Sequence, residues 1–377
     1  MRKDIIVLGN TITALGTLRA CAHLKERGFQ IVLASTSRNN NIAISSNIPD
    51  KKIVLENGLT SGLMELGRKF AEKPILLFTR DDEVVEISTN REQLKQYYRF
   101  LLPDDHIVQM LMEKVKFAQY ADTKKLLIPK TELINDISGL LTIDSRIPFP
   151  IIIKPYLMHS IKVDDQTGVI KLSQKLGPIN YQSMVAQEYI EGNDDQLYFC
   201  FLLYDKEGKL VRSMYARKLR QWPVSYGTTS LAITVEDPRL AHAVEQFTTA
   251  IDMRGFCSIE FKYDASKDRF LIMEPTVGRF NQQIALTVAS GVNFPAAMVD
   301  LLSGNTLENQ KQVNGILWIY ESNDLLSFLK SKRKYGYFNN FFKRHVSVLF
   351  DSKDPAPAWW EIKDLAKKKF KKIFRHV

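Results

Sequence analysis

The chain has 377 residues, 45% hydrophobic and 25% charged, with a formal net charge of +10, which is the make-up of a globular protein built from two or three subdomains. No run approaches the eighteen apolar residues of a membrane span. Cys21, Cys200 and Cys257 are odd in number and form no CxxC pair, which argues against a disulfide framework and a zinc site and points to the cytosol.

At the N-terminus, MRKDIIVLGN has only IIVL between its basic residues and Gly9, so a first strand is expected rather than a signal peptide. DIIVLG, a helix over about 13–27, and FQIVLAS make a strand-helix-strand unit. KIVLEN, TSGLMELGRKFAEK and PILLFTRD repeat it, so residues 1–105 are expected to form an α/β domain with one open sheet. Gly9 and Gly16 make no GxGxxG and no P-loop occurs, so no dinucleotide is placed here. Asp81 and Asp82 follow a strand end, where ligands of such sheets bind, although a solvated loop is the commoner use of such a pair. Beyond residue 105 come a helix (HIVQMLMEKVKFAQYADTKKL), LIPKT, and a strand, IPFPIIIKP. Residues 160–275 are mainly strand-like runs separated by DDQTG, EGNDD, DKEGK and DASKD, with one helix over about 237–252.

CSIEFKYD and RFLIMEPTVGR read as a hairpin. With 265–269 as its loop, Asp264 faces Phe270 and Glu260 faces Glu274. Directly opposed residues hold their Cβ atoms about 4.5–5.5 Å apart, and two carboxylates that close repel unless a proton or cation intervenes. Magnesium, which takes one or two protein carboxylates and completes its shell with water and phosphates, is the natural occupant. Spacing alone leaves two solvated glutamates open. Upstream, MYARKLRQW carries Arg217, Lys218 and Arg220; alternation puts Lys218 and Arg220 on one strand face, suited to an anionic substrate, while a solvated basic face is the plainer reading. The six histidines show no metal-ligand spacing.

Taken in order, MEKVKFAQYA, LIPKT, IIIKP, VAQEYIEG, IEFKYD and IMEPTVGR resemble the ATP-grasp superfamily, in its carboxylate-amine ligase branch. No string is specific alone; their order over 105–304, behind an α/β domain, carries the resemblance. It implies an α/β N-terminal open-sheet domain (1–105), then an α+β ATP-grasp fold of two subdomains sandwiching a nucleotide (106–305, lid about 150–192), and an extension with a basic helix (306–377). It implies ATP, with one or two magnesium ions or manganese. By position, Lys114 and Lys154 match the lysines that reach the phosphates, with Lys116 an equal candidate to Lys114. Gln187, Glu188 and Ile190 match the adenine-binding hinge, with Tyr189 in its apolar slot, and Asp194 matches the ribose acceptor, with Glu191 and Asp195 competing. Glu260 and Glu274 match the metal pair. The usual third ligand, an Asn, is replaced by Thr276, with Asn281 as a substitute from farther along. Arg279 supplies a cation near the transferred phosphate or substrate carboxylate, and Lys218 and Arg220 suit an acyl phosphate. YLMHSIKVDDQTG lacks a glycine-rich phosphate loop, so lid closure falls to His159, Ser160 and Lys162. The implied reaction activates a small-molecule carboxylate as an acyl phosphate and joins it to an amine. The rival reading is a non-catalytic nucleotide-binding regulator or scaffold, favoured by Thr276 and the missing loop; a glycosyltransferase would need neither the ordered lysines nor the paired glutamates.

Residues 330–377 hold fourteen Lys or Arg against four Asp or Glu, leaving 38 of each sign before them. Trp359, Ile362, Ala366, Phe370, Ile373 and Val377 share one helical face, and Lys367, Lys368, Lys371, Lys372 and Arg375 the other; Lys369 interrupts the apolar face. Two readings follow. One is a helix lying on an anionic membrane, holding a cytoplasmic protein at the inner surface. The other is a capping helix whose Trp and Ile side packs on the body. No binding motif accompanies the lysines, so nucleic acid is not expected.

Overall fold

The structure is a computed structural model that describes residues 3–37, 39, 41–154, 160–176, 184–224, 227–330 and 344–373. Strands β1 (Lys3–Leu8), β2 (Phe29–Ser35), β3 (Lys51–Val54) and β4 (Ile75–Leu77) form a parallel sheet in the order β3-β2-β1-β4. Helices cover both faces, which is why the strands read as nearly unbroken apolar runs. Ile5 and Val7 join Leu15 and Leu18 of the helix Ile12–Cys21, while Ile6 and Leu8 join Leu63 of Leu59–Gly67 and Ile87 of Asp81–Thr89. Gly9 closes β1 at φ +93°, where a Cβ would lie 2.3 Å from Thr79 Oγ1; only glycine allows that approach. Beside it the buried Glu83 carboxylate accepts from the N–H groups of Thr79 and Arg80, both at 3.0 Å. Burial nonetheless pushes this carboxyl up to about 7.

A second sheet contains β5 (Thr131–Ile134), β6 (Ile151–Lys154), β7 (Ile161–Val163) and β8 (Met184–Glu188), ordered β5-β8-β6-β7. It starts well before residue 150. In β5, TELI, polar residues occupy the first two positions, so alternation is too short to register; its place is set by pairing, with Thr131 opposite Gln187. The expected long helix after residue 105 is two, Asp105–Met112 and Lys114–Thr123, because Glu113 turns extended at ψ 117°. That break puts Lys114 at the start of the second helix.

The third sheet has seven strands: β9 (Leu197–Tyr204), β10 (Leu210–Trp222), β11 (Thr228–Thr234), β12 (Gly255–Asp264), β13 (Arg269–Val277), β14 (Leu317–Ile319) and β15 (His345–Ser347), in the order β13-β12-β9-β10-β11-β14-β15. The region after residue 305 is therefore part of the main sheet. Alternation along β9 sends Cys200, Leu202 and Tyr204 into the core shared with Ile6 and Leu8, and Phe199, Phe201 and Leu203 into the core shared with Ile5 and Val7. The N-terminal sheet and the main sheet are thus welded through two continuous cores. Each buried side chain of this size contributes about 1.5–3 kcal/mol.

The chain ends in the helix Ala356–Ile373. Its approach is pinned by Arg19, which donates to Val348 O at 2.6 Å and to Asp354 at 3.2 Å. Asp354 is fully buried and also accepts from Ser46 Oγ and Asn47 N. The inward face consists of Pro357, Ala358 and Glu361, with Trp360 half-buried. Trp359, Ile362 and Ala366 face outward. The capping arrangement required the Trp359 and Ile362 side to pack on the body; the structure turns the helix so that Pro357, Ala358 and Glu361, flanked by Trp360, do so. The side chains of Lys368, Lys369, Phe370, Lys371, Lys372 and Ile373, and residues Arg375 and Val377, lie outside the described set.

Candidate active site

Glu260 and Glu274 are opposed, but by a different route from the one the spacing suggests. Asp264 accepts from Ser266 N and Oγ, an Asx-type turn that tightens the loop to 265–268, so Asp264 faces Arg269 rather than Phe270. The register stays one residue short as far as Phe261 opposite Ile272; Met273 then bulges and Glu260 faces Glu274. Without that bulge the slip would turn Glu274 to the opposite face. Both carboxylates line a cleft of about 2140 Å³ between the three sheets.

Lys218 approaches the pair from β10. Its side chain is buried, and its ammonium donates to Glu260 Oε2 at 2.8 Å and to Gln221 Oε1 at 3.3 Å. Gln221 passes the contact on through Nε2 to Asp194 Oδ1 at 2.8 Å. A hydrogen-bonded chain thus joins the carboxylate pair to the turn after Gly192. Lys262, two residues beyond Glu260, clamps that turn by donating to Gly192 O at 2.9 Å and Asn193 O at 3.0 Å. Burial lowers the pKa of Lys262, against the pull of Asp194, Asp195 and Glu260.

Lys154 ends β6 and lines the same cleft. Burial lowers its pKa, Glu274 raises it, Lys114 lowers it, and Glu260 raises it. Lys114 lines the cleft, whereas Lys116 pairs with Glu113 at 2.7 Å on the surface, which separates two lysines the sequence left equal. Ser160 and Lys162 also line the cleft. Lys162 lies 4.5 Å from the centre of the Tyr189 ring, a cation-π contact from lid to hinge. His159 lies outside the described residues.

At the hinge, Gln187 Nε2 donates to Thr131 Oγ1 at 3.0 Å, and that hydroxyl donates to Pro129 O at 2.8 Å. The hydroxyl can only accept from the amide, so Gln187 Oε1 is fixed pointing elsewhere. It is buried and has no partner among the described residues. Gln187 borders a small cavity of about 30 Å³ that it shares with Lys114, Lys154 and Glu274. Ile190 is buried and lines the cleft. The Glu188 carboxylate accepts from Lys130 N at 3.2 Å, and the N–H groups of Glu188 and Tyr189 are spent on Lys130 O and Pro150 O.

Arg279 joins the N-terminal domain to the site: Nε donates to Asp81 at 2.5 Å and Nη1 to Asn281 Oδ1 at 2.7 Å. Asn281 in turn donates to Ser258 Oγ at 2.8 Å. Its carbonyl is thereby engaged, while Thr276, opposite Ser258, lines the cleft. Arg220 also lines the cleft, but Asp324 of the helix Glu321–Lys330 holds it in a buried fork with both contacts at 2.7 Å. A bulge at Leu219 separates it in register from Lys218. Lys218 and Arg220 thus have different partners. Sequence reasoning passed over Gln221, Lys262 and Asp324. The alternation of β12 puts Lys262 on the face of Glu260 and could have found it; nothing near Asp324 in the chain points to Arg220.

An ATP molecule and magnesium fit these residues. The orphaned acceptor Gln187 Oε1 suits the adenine amino group, Lys114 and Lys154 suit phosphate, and Asp194 suits a ribose hydroxyl. Glu260 and Glu274 suit the metal. Among the described residues no group of three or more His, Cys, Asp or Glu could cage an ion, and a two-carboxylate site is what magnesium prefers.

No model of a known protein family matches the chain. A D-aspartate ligase of Enterococcus faecium (strain Aus0004) is 21% identical over 242 residues, 59% of this chain and 57% of that protein; the match spans little more than half the length of that relative. The structure resembles N5-carboxyaminoimidazole synthetase from Staphylococcus aureus complexed with ADP, with a TM-score of 0.64, 11% identity, and 83% and 81% of the two chains covered. It also resembles the biotin carboxylase domain of Hydrogenobacter thermophilus 2-oxoglutarate carboxylase, in complex with MgADP, ADP and bicarbonate, with a TM-score of 0.65, 13% identity, and 82% and 72% covered. The fold is the ATP-grasp fold.

Proposed function

We propose that the protein is an ATP- and magnesium-dependent ligase that activates a carboxylate as an acyl phosphate and joins it to an amine. The observation that carries this reading is the meeting, in one cleft, of Glu260 opposite Glu274 with Lys114 and Lys154. Lys114, Lys154, Gln187, Ile190 and Asp194 would hold the nucleotide, with Glu188 closing the hinge from below through Lys130. Glu260 and Glu274 would hold one or two ions, magnesium or manganese, and Thr276 offers a neutral oxygen beside them. The ion, when bound, supplies positive charge to the transferring phosphoryl group. Arg279, oriented by Asp81 and Asn281, holds the substrate carboxylate, and Lys218 balances Glu260 from the buried side. A carboxylate oxygen bonds to the γ-phosphorus as the bond to the ADP oxygen breaks. The amine then bonds to the acyl carbon, and phosphate and a proton leave. The protein contributes position and fixed charge rather than a nucleophile. The buried ion pair with Asp324 gives Arg220 a supporting role at the rim, where it steadies β10 beside Lys218.

The relative's name makes D-aspartate the first substrate to test, as carboxylate or as amine. Small molecules are the expected partners, without nucleic acid. ATP consumption and three buried thiols suit a cytosolic site of action, with the basic tail in peripheral contact with the membrane. A regulatory protein with a degenerate site is less well supported, because lysines and glutamates of the right kinds line one cleft. The test is magnesium-dependent ADP formation across paired carboxylates and amines, with the product weighed by mass spectrometry; no ADP above background with any pair refutes the ligase reading.

A further inference from the structure

In the helix Ala356–Ile373, burial and chemistry are arranged in reverse. The acidic residue Glu361 is buried, accepting from Tyr320 Oη at 3.4 Å and Ser322 Oγ at 3.2 Å, and Asp364 is half-buried. The outward surface carries Trp359, Ile362 and Leu365, which are 63%, 48% and 46% exposed, interleaved with exposed Lys363 and Lys367. A helix that only caps the body would bury its large apolar side chains and leave its carboxylates in water. Among the described side chains of the helix the acids are withdrawn, and those outside are apolar and basic.

The helix runs for eighteen residues, about 27 Å at 1.5 Å per residue. The basic excess belongs to the same region, since residues 330–377 account for the whole net charge of +10. Tryptophan beside aliphatic side chains and lysine is the composition that settles at a bilayer interface, with the rings at headgroup depth and the cations on anionic lipid. A second copy of the chain fits less well: a two-fold contact sets the face against itself, and its exposed charges among the described residues, Lys363 and Lys367, are both basic. Nucleic acid would reward the lysines but leave the Ile362 and Leu365 surface in water. We infer that the outer face of this helix is a docking surface for an anionic lipid bilayer, which would hold the cleft close to the membrane. The inference gives the peripheral membrane contact proposed above its surface and its lipid class, and it stands whether or not the ligase reading survives.

The test uses the full chain and vesicles of phosphatidylglycerol mixed with phosphatidylcholine, compared with phosphatidylcholine alone, in a sedimentation assay. Binding to the anionic vesicles only, weakened by raising the salt, is expected. Lys363→Glu with Lys367→Glu should weaken it at least about twenty-five-fold, from roughly fivefold for each charge lost near an anionic surface. Trp359→Ser with Ile362→Ser should also release the protein, with an unchanged melting temperature because both side chains are outside. In the wild type, tryptophan emission should shift to the blue on anionic vesicles, and Trp359→Phe should remove most of the shift. Each of the following overturns the inference: no preference for anionic vesicles, loss of a concentration-dependent dimer in Trp359→Ser, or salt-sensitive RNA binding that survives Trp359→Ser with Ile362→Ser. A lowered melting temperature in that double variant with unchanged vesicle binding also overturns it.

Discussion

Gln187→Met separates the adenine contact from the fold. Among the described residues of the free protein Gln187 Oε1 is a buried acceptor with no donor, a state that costs about 1–3 kcal/mol. Methionine removes that cost. It also removes the 3.0 Å hydrogen bond from Nε2 to Thr131 Oγ1, worth about 0.5–1.5 kcal/mol, while the Thr131 hydroxyl keeps its bond to Pro129 O. The two changes oppose each other, so the free protein should unfold within about 1 kcal/mol of wild type or be slightly more stable. Affinity should respond differently. An adenine amino group supplies the missing donor, and its loss should weaken MgADP by about two- to tenfold, from about 0.5–1.5 kcal/mol for one net hydrogen bond. GDP presents a carbonyl where ADP presents that amine, so the wild type should reject it and the variant should reject it less. Calorimetry with both nucleotides, beside thermal unfolding of the free protein, gives all three quantities. A variant destabilised by more than about 2 kcal/mol with unchanged ADP affinity would show that Gln187 is a structural residue of β8 and refute the hinge assignment.

Lys154→Met should weaken ATP by about 10- to 150-fold, the equivalent of one charge-assisted hydrogen bond of 1.5–3 kcal/mol, and leave adenosine unaffected; equal losses for both ligands in calorimetry would make the lysine structural. Asp324→Asn should lower stability by about 3–5 kcal/mol by stranding the buried Arg220 guanidinium, and Arg220→Leu with Asp324→Leu should recover most of it; if the double variant stays as unstable as the single one in thermal unfolding, the fork is not the cause. Glu83 keeps its proton to about 7, against 4.5 for an exposed carboxyl, because it is buried. The folded state therefore binds that proton more tightly than the unfolded chain. This contribution is full below about pH 4.5 and declines as the pH rises to about 7, by on the order of 3 kcal/mol. Glu83→Gln should flatten that part of the stability profile, and an unchanged slope from pH 4.5 to 7 would contradict the assignment.

The parallel sheet was legible because its strands are buried on both faces, and DIIVLG, FQIVLAS and PILLFTRD carry that burial as apolar runs. The Glu260–Glu274 pair was legible for a less secure reason: the expected loop was one residue too long, and the Met273 bulge restored the register that the tighter turn removed. Neither the Asx turn at Asp264 nor the bulge leaves a periodic trace. β5 escaped because TELI is too short to alternate, and β14 and β15 because strands of three residues, Leu317–Ile319 and His345–Ser347, carry no period at all. The partners of the site lie beyond local reading altogether. Asp324 meets Arg220 across 104 residues and Asp81 meets Arg279 across 198, contacts that only the assembled sheets create. The tail was legible as a helix but not in its orientation: most of the expected basic face lies outside the described residues, Lys367 is exposed on the same side as Trp359 and Ile362, and the side against the body is set by Pro357, Ala358 and Glu361 fitting beneath the helix.

Central to the account is transfer of the γ-phosphoryl group to a carboxylate oxygen, and an isotope measurement tests it most directly. With the carboxylate and amine found by the ADP-forming screen, the carboxylate is labelled with ¹⁸O and the released inorganic phosphate is weighed. The account predicts ADP as the nucleotide product and one ¹⁸O in the phosphate for each amide formed, with both lost in Glu274→Gln while MgADP-free folding stability is retained. Release of AMP with the label on the nucleotide, or near-normal turnover by Glu274→Gln, would contradict it.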